Sequence, residues 1–105
     1  MKTKEELKEI REQNYDIWFK RFVKKEDLVK KIEVANEQGY KEWVIDANSY
    51  RDSRDNRMIM DPLFIEKLQT YLQDYKVSVD ERVIEGTLLG VKIKRSYYKV
   101  KISWA

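Results

Sequence analysis

The fold class is decided by residues 76–104, KVSVDERVIEGTLLGVKIKRSYYKVKISW, along which apolar and polar residues alternate. The alternation is strict in three places, at residues 77–79, 91–93 and 100–104. Period-two alternation is typical of strands that bury one face and expose the other. The C-terminal third of the chain therefore predicts three strands in a mostly antiparallel sheet.

Two turns are predicted between these strands. Gly86 and Gly90 enclose a short apolar run, which indicates a turn or bulge, and residues 95–97, Arg-Ser-Tyr, predict a hairpin turn. With a turn at residues 95–97, four lysines would share the face opposite the buried valines and isoleucines, and Arg95 would lie at the tip. Those lysines are Lys92, Lys94, Lys99 and Lys101.

The N-terminal residues predict a long amphipathic helix. Thr3 and Glu6 form a capping-box pattern, and apolar residues follow at steps of three and four up to Val23. The stripe is unusually rich in aromatic residues. We expect residues 1–24 to form an aromatic amphipathic helix that is an addition to the rest of the domain.

The middle of the chain predicts two more helices and a buried strand. A second helix is expected from about Glu26 to Gln38, where Gly39 can end it. Residues 43–45, Trp-Val-Ile, are typical of a strand buried on both faces. Asp61-Pro62 is a strong start for a third helix. The predicted fold is one α+β domain over residues 1–105, in the order α-α-β-α-β-β-β, with the helices on one face of the sheet.

Composition excludes several classes of site. The 105 residues include no Cys and no His, which excludes disulfides, thiol nucleophiles, zinc fingers and imidazole bases. The glycines match no phosphate-binding loop. We therefore expect no catalytic residues, no metal and no cofactor, and we predict that the protein is not an enzyme.

Asp46 is the carboxylate that most invites a catalytic interpretation, because it ends the buried strand beside a polar segment. The favoured interpretation is that it caps the strand and binds loop amides. Asp46-x-Asn48, with Asp52 and Asp55, also suggests a cation site, but the spacing lacks the Gly and the Glu of an EF-hand. A solvated loop with internal Arg–Asp pairs is the alternative that we favour.

Residues 50–60 are expected to be a loop and the main partner-binding surface. Tyr, Arg and Met are enriched at protein interfaces. The alternative is that Ile59 and Met60 pack into the core ahead of the third helix. The candidate contact residues are Tyr50, Arg51, Arg54, Arg57 and Met58.

The C-terminal ribbon is a second candidate surface. Residues 76–105 carry seven basic and three acidic residues, although the net charge of the whole chain is only +3. A basic ribbon with aromatic residues predicts nucleic-acid binding, whereas lysines on exposed strands also prevent aggregation. The candidate nucleic-acid contacts are Lys92, Lys94, Arg95, Lys99 and Lys101.

Short motifs over residues 28–104 resemble small accessory proteins of tailed bacteriophages. They are Ala35-Asn36-Glu37-Gln38-Gly39, Trp43-Val44-Ile45, Leu68-x3-Leu72-x2-Tyr75-x-Val77 and Tyr98-x-Val100-x-Ile102-Ser103-Trp104. The chain departs from the pattern at Asp74, where many of those proteins have Gly. The resemblance implies a protein that binds a host or defence protein, nucleic acid or a virion component.

The leading hypothesis is a non-enzymatic, phage-encoded accessory protein that binds and inhibits or redirects a host or defence macromolecule, with residues 50–60 and the aromatic N-terminal helix as its contact surfaces. One alternative is a nucleic-acid-binding module that uses the C-terminal ribbon. Another is an assembly protein that forms homo-oligomers through the N-terminal helix. The sequence has no apolar run of the length of a membrane span and no signal-peptide pattern, so we expect a cytoplasmic protein without a membrane partner.

Overall fold

The structure is a computed structural model that describes residues 1–104. It contains four α-helices, a short 3-10 turn and three strands. In chain order these are α1 (Lys4–Glu26), α2 (Leu28–Glu37), β1 (Glu42–Asp46), the 3-10 turn (Ala47–Ser49), α3 (Ser53–Met60), α4 (Pro62–Tyr71), β2 (Lys76–Leu88) and β3 (Val91–Ser103).

The strands form one antiparallel sheet in the order β1-β3-β2. Ile102 of β3 lies between Trp43 of β1 and Val77 of β2. Val100 and Ile102 are fully buried beneath the helices, whereas Lys99 and Lys101 point to the opposite face. The predicted α+β class is confirmed.

The C-terminal hairpin has two long strands, so the prediction of three strands is wrong. Leu88 pairs with Val91, which leaves Leu89 and Gly90 as a two-residue turn in which φ is +51° and +79°. Positive φ at both positions is the geometry of a type I′ hairpin turn. Residues 95–97, predicted as a turn, continue β3 and pair with residues 82–84. The alternation lapses there because this part of the hairpin faces no core.

Residues 53–60 form a helix, so the prediction of a loop over residues 50–60 is wrong. The Asp52 side chain accepts hydrogen bonds from the backbone N–H groups of Arg54 and Asp55 and so caps α3. Asp, Ser and Asn favour both turns and helix N-termini. The element order is therefore α-α-β-α-α-β-β, with one more helix and one fewer strand than predicted.

The core is built around Phe64 of α4, which is fully buried. Three aromatic rings of α1 surround it, with ring centroids 5.6 to 6.1 Å away. They belong to Trp18, Phe19 and Phe22. Half of the helix that the sequence suggested as an addition therefore lies in the common core, while residues 4–9 of α1 are exposed.

Within residues 1–104, no helix has the length and apolar character needed to cross a membrane.

A matched pair of substitutions tests the placement of α3. Ile59 is fully buried, whereas Met60 is 40% exposed. Ile59→Ala should lower the free energy of unfolding by about 2–4 kcal/mol, because it leaves a cavity in the core. Met60→Ala should change it by less than about 0.5 kcal/mol. Urea unfolding followed by circular dichroism measures both values, and equal losses would contradict this placement.

Candidate interaction surfaces

Hydrogen bonds from α1 hold α3 in place. The Tyr15 hydroxyl donates to the Met58 carbonyl oxygen at 2.6 Å, and the Trp18 indole N–H donates to Asp55 at 2.8 Å. The Asn56 side-chain amide donates to the Ala47 carbonyl oxygen at 2.7 Å, which joins α3 to the 3-10 turn that follows β1. The surface of α3 is therefore presented by a fixed helix rather than by a loop.

Three arginines lie on the exposed side of this segment, and we call them the arginine surface: Arg51, Arg54 and Arg57. None of them belongs to an ion pair formed within residues 1–104. The prediction of internal Arg–Asp pairs is therefore wrong.

The nearby carboxylates have other partners. Asp52 caps α3, and the hydrogen bonds from the Asp55 and Arg54 amides hold its pKa below the ordinary value. Asp55 accepts the Trp18 hydrogen bond. Neither aspartate forms an ion pair with an arginine of this surface, so the three guanidinium groups remain exposed to solvent.

Tyr50 and Met58 support this surface from below. Both are half-buried and pack against the core. The Tyr50 ring lies 5.7 Å from that of Phe22, and burial, reinforced by nearby Glu26, raises the Tyr50 pKa. Of the five residues predicted to contact a partner, the three arginines are therefore the exposed ones. Ile59 is buried, as one alternative predicted, whereas Met60 is not.

Asp46 has the structural role that the sequence favoured. Its carboxylate accepts the Asn48 backbone N–H at 3.0 Å, and its carbonyl oxygen accepts the Ser49 hydroxyl at 2.7 Å. The interpretation of Asp46 as a strand cap is therefore confirmed. Over residues 1–104, no three His, Cys, Asp or Glu side chains are grouped closely enough to hold a metal ion.

Two side-chain amides, which sequence reasoning missed, extend the pairing at the sheet edges. Asn48 donates to the Ser96 carbonyl at 2.8 Å and accepts the Tyr98 N–H at 3.3 Å, beyond the end of β1. Gln69 accepts the Val77 N–H at 3.1 Å and donates to the Tyr75 carbonyl at 2.7 Å. No sequence signal distinguishes these amides from other polar surface residues.

The predicted nucleic-acid ribbon is divided between two faces. Because β3 is continuous, Lys92 and Lys94 share a face with Tyr98, whereas Arg95, Lys99 and Lys101 lie on the other. The prediction that the four lysines share a face is therefore wrong. The basic residues do not form one track along which a phosphate backbone could run.

The distal hairpin, residues 81–96, projects from the body of the protein, and we call it the hairpin arm. Every residue from 81 to 92 is exposed. One face of the arm carries four apolar side chains together with two arginines: Ile84, Leu88, Val91, Ile93, Arg82 and Arg95. The sequence did not predict the arm, because a turn at residues 95–97 would make the hairpin much shorter. The sequence does contain one signal of the true turn, the apolar pair Leu88-Leu89 directly before Gly90.

A groove of about 580 Å³ lies between α2 and the unpaired edge of β1. Val34 and Trp43 contribute apolar walls, while Lys30 and Glu42 contribute opposite charges. This mixture does not define one class of ligand.

Comparison of the chain with protein-family models, curated protein sequences and solved structures gives no match.

Three tyrosines with raised pKa values predict a loss of stability at alkaline pH. Burial is the main cause that raises the pKa values of Tyr15, Tyr50 and Tyr98 above the ordinary value of 10.0. Above about pH 10 these groups ionise in the unfolded state but stay protonated in the folded state. Their contribution to stability is therefore complete below pH 10 and is lost as the pH rises further.

Tyr15→Phe tests this account by urea unfolding between about pH 8 and pH 11. At pH 8 the variant should lose about 1–2 kcal/mol, because the Met58 carbonyl loses its donor. Its stability should then fall less steeply with pH than that of the wild type. Tyr40→Phe, at an exposed ring, is the control and should follow the wild-type curve. If stability falls equally steeply with pH in Tyr15→Phe and in the wild type, Tyr15 is not a source of the alkaline loss of stability.

Proposed function

We propose that the chain is a non-enzymatic binding protein whose arginine surface contacts an acidic patch of a protein partner. The observation that carries this proposal is that three exposed arginines, two on α3 and Arg51 just before it, form no ion pair within residues 1–104, while hydrogen bonds to α1 and to the 3-10 turn hold α3 in place. A fixed helix loses little conformational entropy on binding. Guanidinium groups also bind carboxylates in bidentate geometry, which suits Arg at interfaces.

Binding is favoured over catalysis because the candidate catalytic group has a structural partner. The Asp46 carboxylate accepts a hydrogen bond from the Asn48 backbone N–H, and the Asp55 carboxylate accepts one from the Trp18 indole N–H. The resemblance to phage accessory proteins supports a host or defence protein as the partner, with binding and inhibition in the host cytoplasm. Nucleic acid is the less favoured partner, since the basic residues of the ribbon lie on two faces.

The arginine surface is tested by the triple substitution Arg51→Gln, Arg54→Gln and Arg57→Gln. Met58 is left unchanged because it packs against the core. The control is Lys2→Gln, Lys4→Gln and Lys8→Gln, which removes the same charge from exposed positions near the N-terminus. Both variants should unfold at the wild-type urea concentration.

The measurement is affinity capture from nuclease-treated bacterial lysate, followed by titration of the captured partner. The arginine variant should bind about 100-fold more weakly, since interface arginines contribute more than about 1 kcal/mol each. The lysine control should bind within about 3-fold of the wild type. Equal binding by both variants would refute the proposed surface, and capture that disappears with nuclease would indicate nucleic acid instead.

A further inference from the structure

We propose that the tip of the hairpin arm binds anionic lipid bilayers. Leu88, Leu89 and Val91 would enter the interfacial region, and Lys92, Lys94 and Arg95 would contact the headgroups. This inference goes beyond the proposed function, uses a different part of the molecule, and departs from the expectation, drawn from the sequence, of a protein without a membrane partner.

The first argument is the conformation of Leu89. Its side chain is 96% exposed, and its backbone has φ +51°, a region that favours Gly and Asn over Leu. Leu88 and Val91, on either side of the turn, are also exposed. Neither core packing nor turn chemistry favours Leu89 here. A residue that breaks local preferences without a folding benefit points to a functional contact.

The second argument is the distance along the strand from the turn to each lysine. Strands rise about 3.3 Å per residue, so Lys92 lies about 7 Å above Gly90 and Lys94 about 13 Å above it. Interfacial segments bury their apolar side chains about 5–10 Å into the boundary between headgroups and acyl chains. An arm inserted by its four tip residues, 88–91, would therefore place its first lysine among the headgroups.

The third argument is that the basic residues surround the arm. Lys92 and Lys94 lie on one face and Arg95 lies on the other, whereas Arg82, farther from the tip, pairs with Asp80 at 3.1 Å. A partner protein that binds one face of the arm would not meet all three of the basic residues near the tip. A bilayer presents anionic headgroups on every side of an inserted tip, so it is the partner that this two-faced arrangement complements.

The body of the protein leaves the tip accessible. Asn48 makes its hydrogen bonds to β3 at Ser96 and Tyr98, and the arm beyond that point is exposed on both faces. The arm has four basic and two acidic residues; Glu85 lies 3.9 Å from Lys94, and Arg82 pairs with Asp80, just outside the arm. With Asp80 included the net charge is +1, and this positive charge favours anionic over neutral lipid.

The experiment measures cosedimentation of the full chain with vesicles. Vesicles of phosphatidylcholine with about one quarter phosphatidylglycerol should bind the protein, and vesicles of phosphatidylcholine alone should bind it at least about 10-fold more weakly. The double variant Lys92→Gln/Lys94→Gln should bind anionic vesicles about 30-fold more weakly than the wild type. The matched control Lys99→Gln/Lys101→Gln changes two lysines of the same strand within the body of the protein, and it should stay within about 3-fold.

Leu89→Asn separates binding from folding. Asn suits the turn conformation, so the variant should melt at or above the wild-type temperature. Its binding to anionic vesicles should nevertheless fall about 10-fold, because the most exposed apolar side chain is lost. In the variant Leu89→Trp, indole emission should shift to shorter wavelength with anionic vesicles and not with neutral ones, after subtraction of the wild-type spectrum.

The proposal is overturned if the wild type does not bind anionic vesicles at low salt, or if Leu89→Asn binds as well as the wild type. It is also overturned if both lysine pairs weaken binding equally, since that indicates a diffuse charge effect. If Leu89→Asn abolishes protein capture but vesicles do not bind, the tip enters a pocket of a partner protein. Vesicle binding by the triple arginine variant should match the wild type, so the two proposals fail independently.

Discussion

The contact on which the rest of the structure depends is the packing of α1 aromatic rings around Phe64. The rings of Trp18, Phe19 and Phe22 join α1 to α4. Two aromatic residues of α1 also use their polar atoms, since Tyr15 and Trp18 donate hydrogen bonds to α3. One helix face therefore closes the core and fixes the arginine surface. Loss of this packing would disturb the fold and the arginine surface together.

Only one end of the sheet faces the core, and the other end extends beyond it. β1 pairs only with residues 99–103 of β3, and the core-facing residues Val100 and Ile102 lie within that range. Both strands of the hairpin continue past the point where Asn48 ends the pairing of β3 with the body. A two-stranded hairpin without a core is only marginally stable in water. The candidate surfaces are thus a helix fixed by the core and an arm that extends beyond it.

The features predicted correctly from the sequence are those that leave a local pattern of apolar residues or of capping residues. The α+β class, the start of α4 at Asp61-Pro62 and the cap at Asp46 were predicted correctly, because burial and capping leave local patterns. α3 was missed because Asp52 and Ser53 suit turns as well as helix starts. The arm was missed because strands outside the core need not alternate, and the same error placed all the lysines on one face. The tertiary bonds of Trp18 and Asn48 leave no local pattern.

Native-state hydrogen–deuterium exchange tests the central claim, that the aromatic face of α1 belongs to the core while the hairpin arm lies outside it. Amides of residues 18–23 should exchange as slowly as those of residues 99–102, since both open only on global unfolding. Amides of residues 82–95 should exchange much faster through local opening of the arm. Fast exchange in residues 18–23, or an arm as protected as the core, would contradict the account.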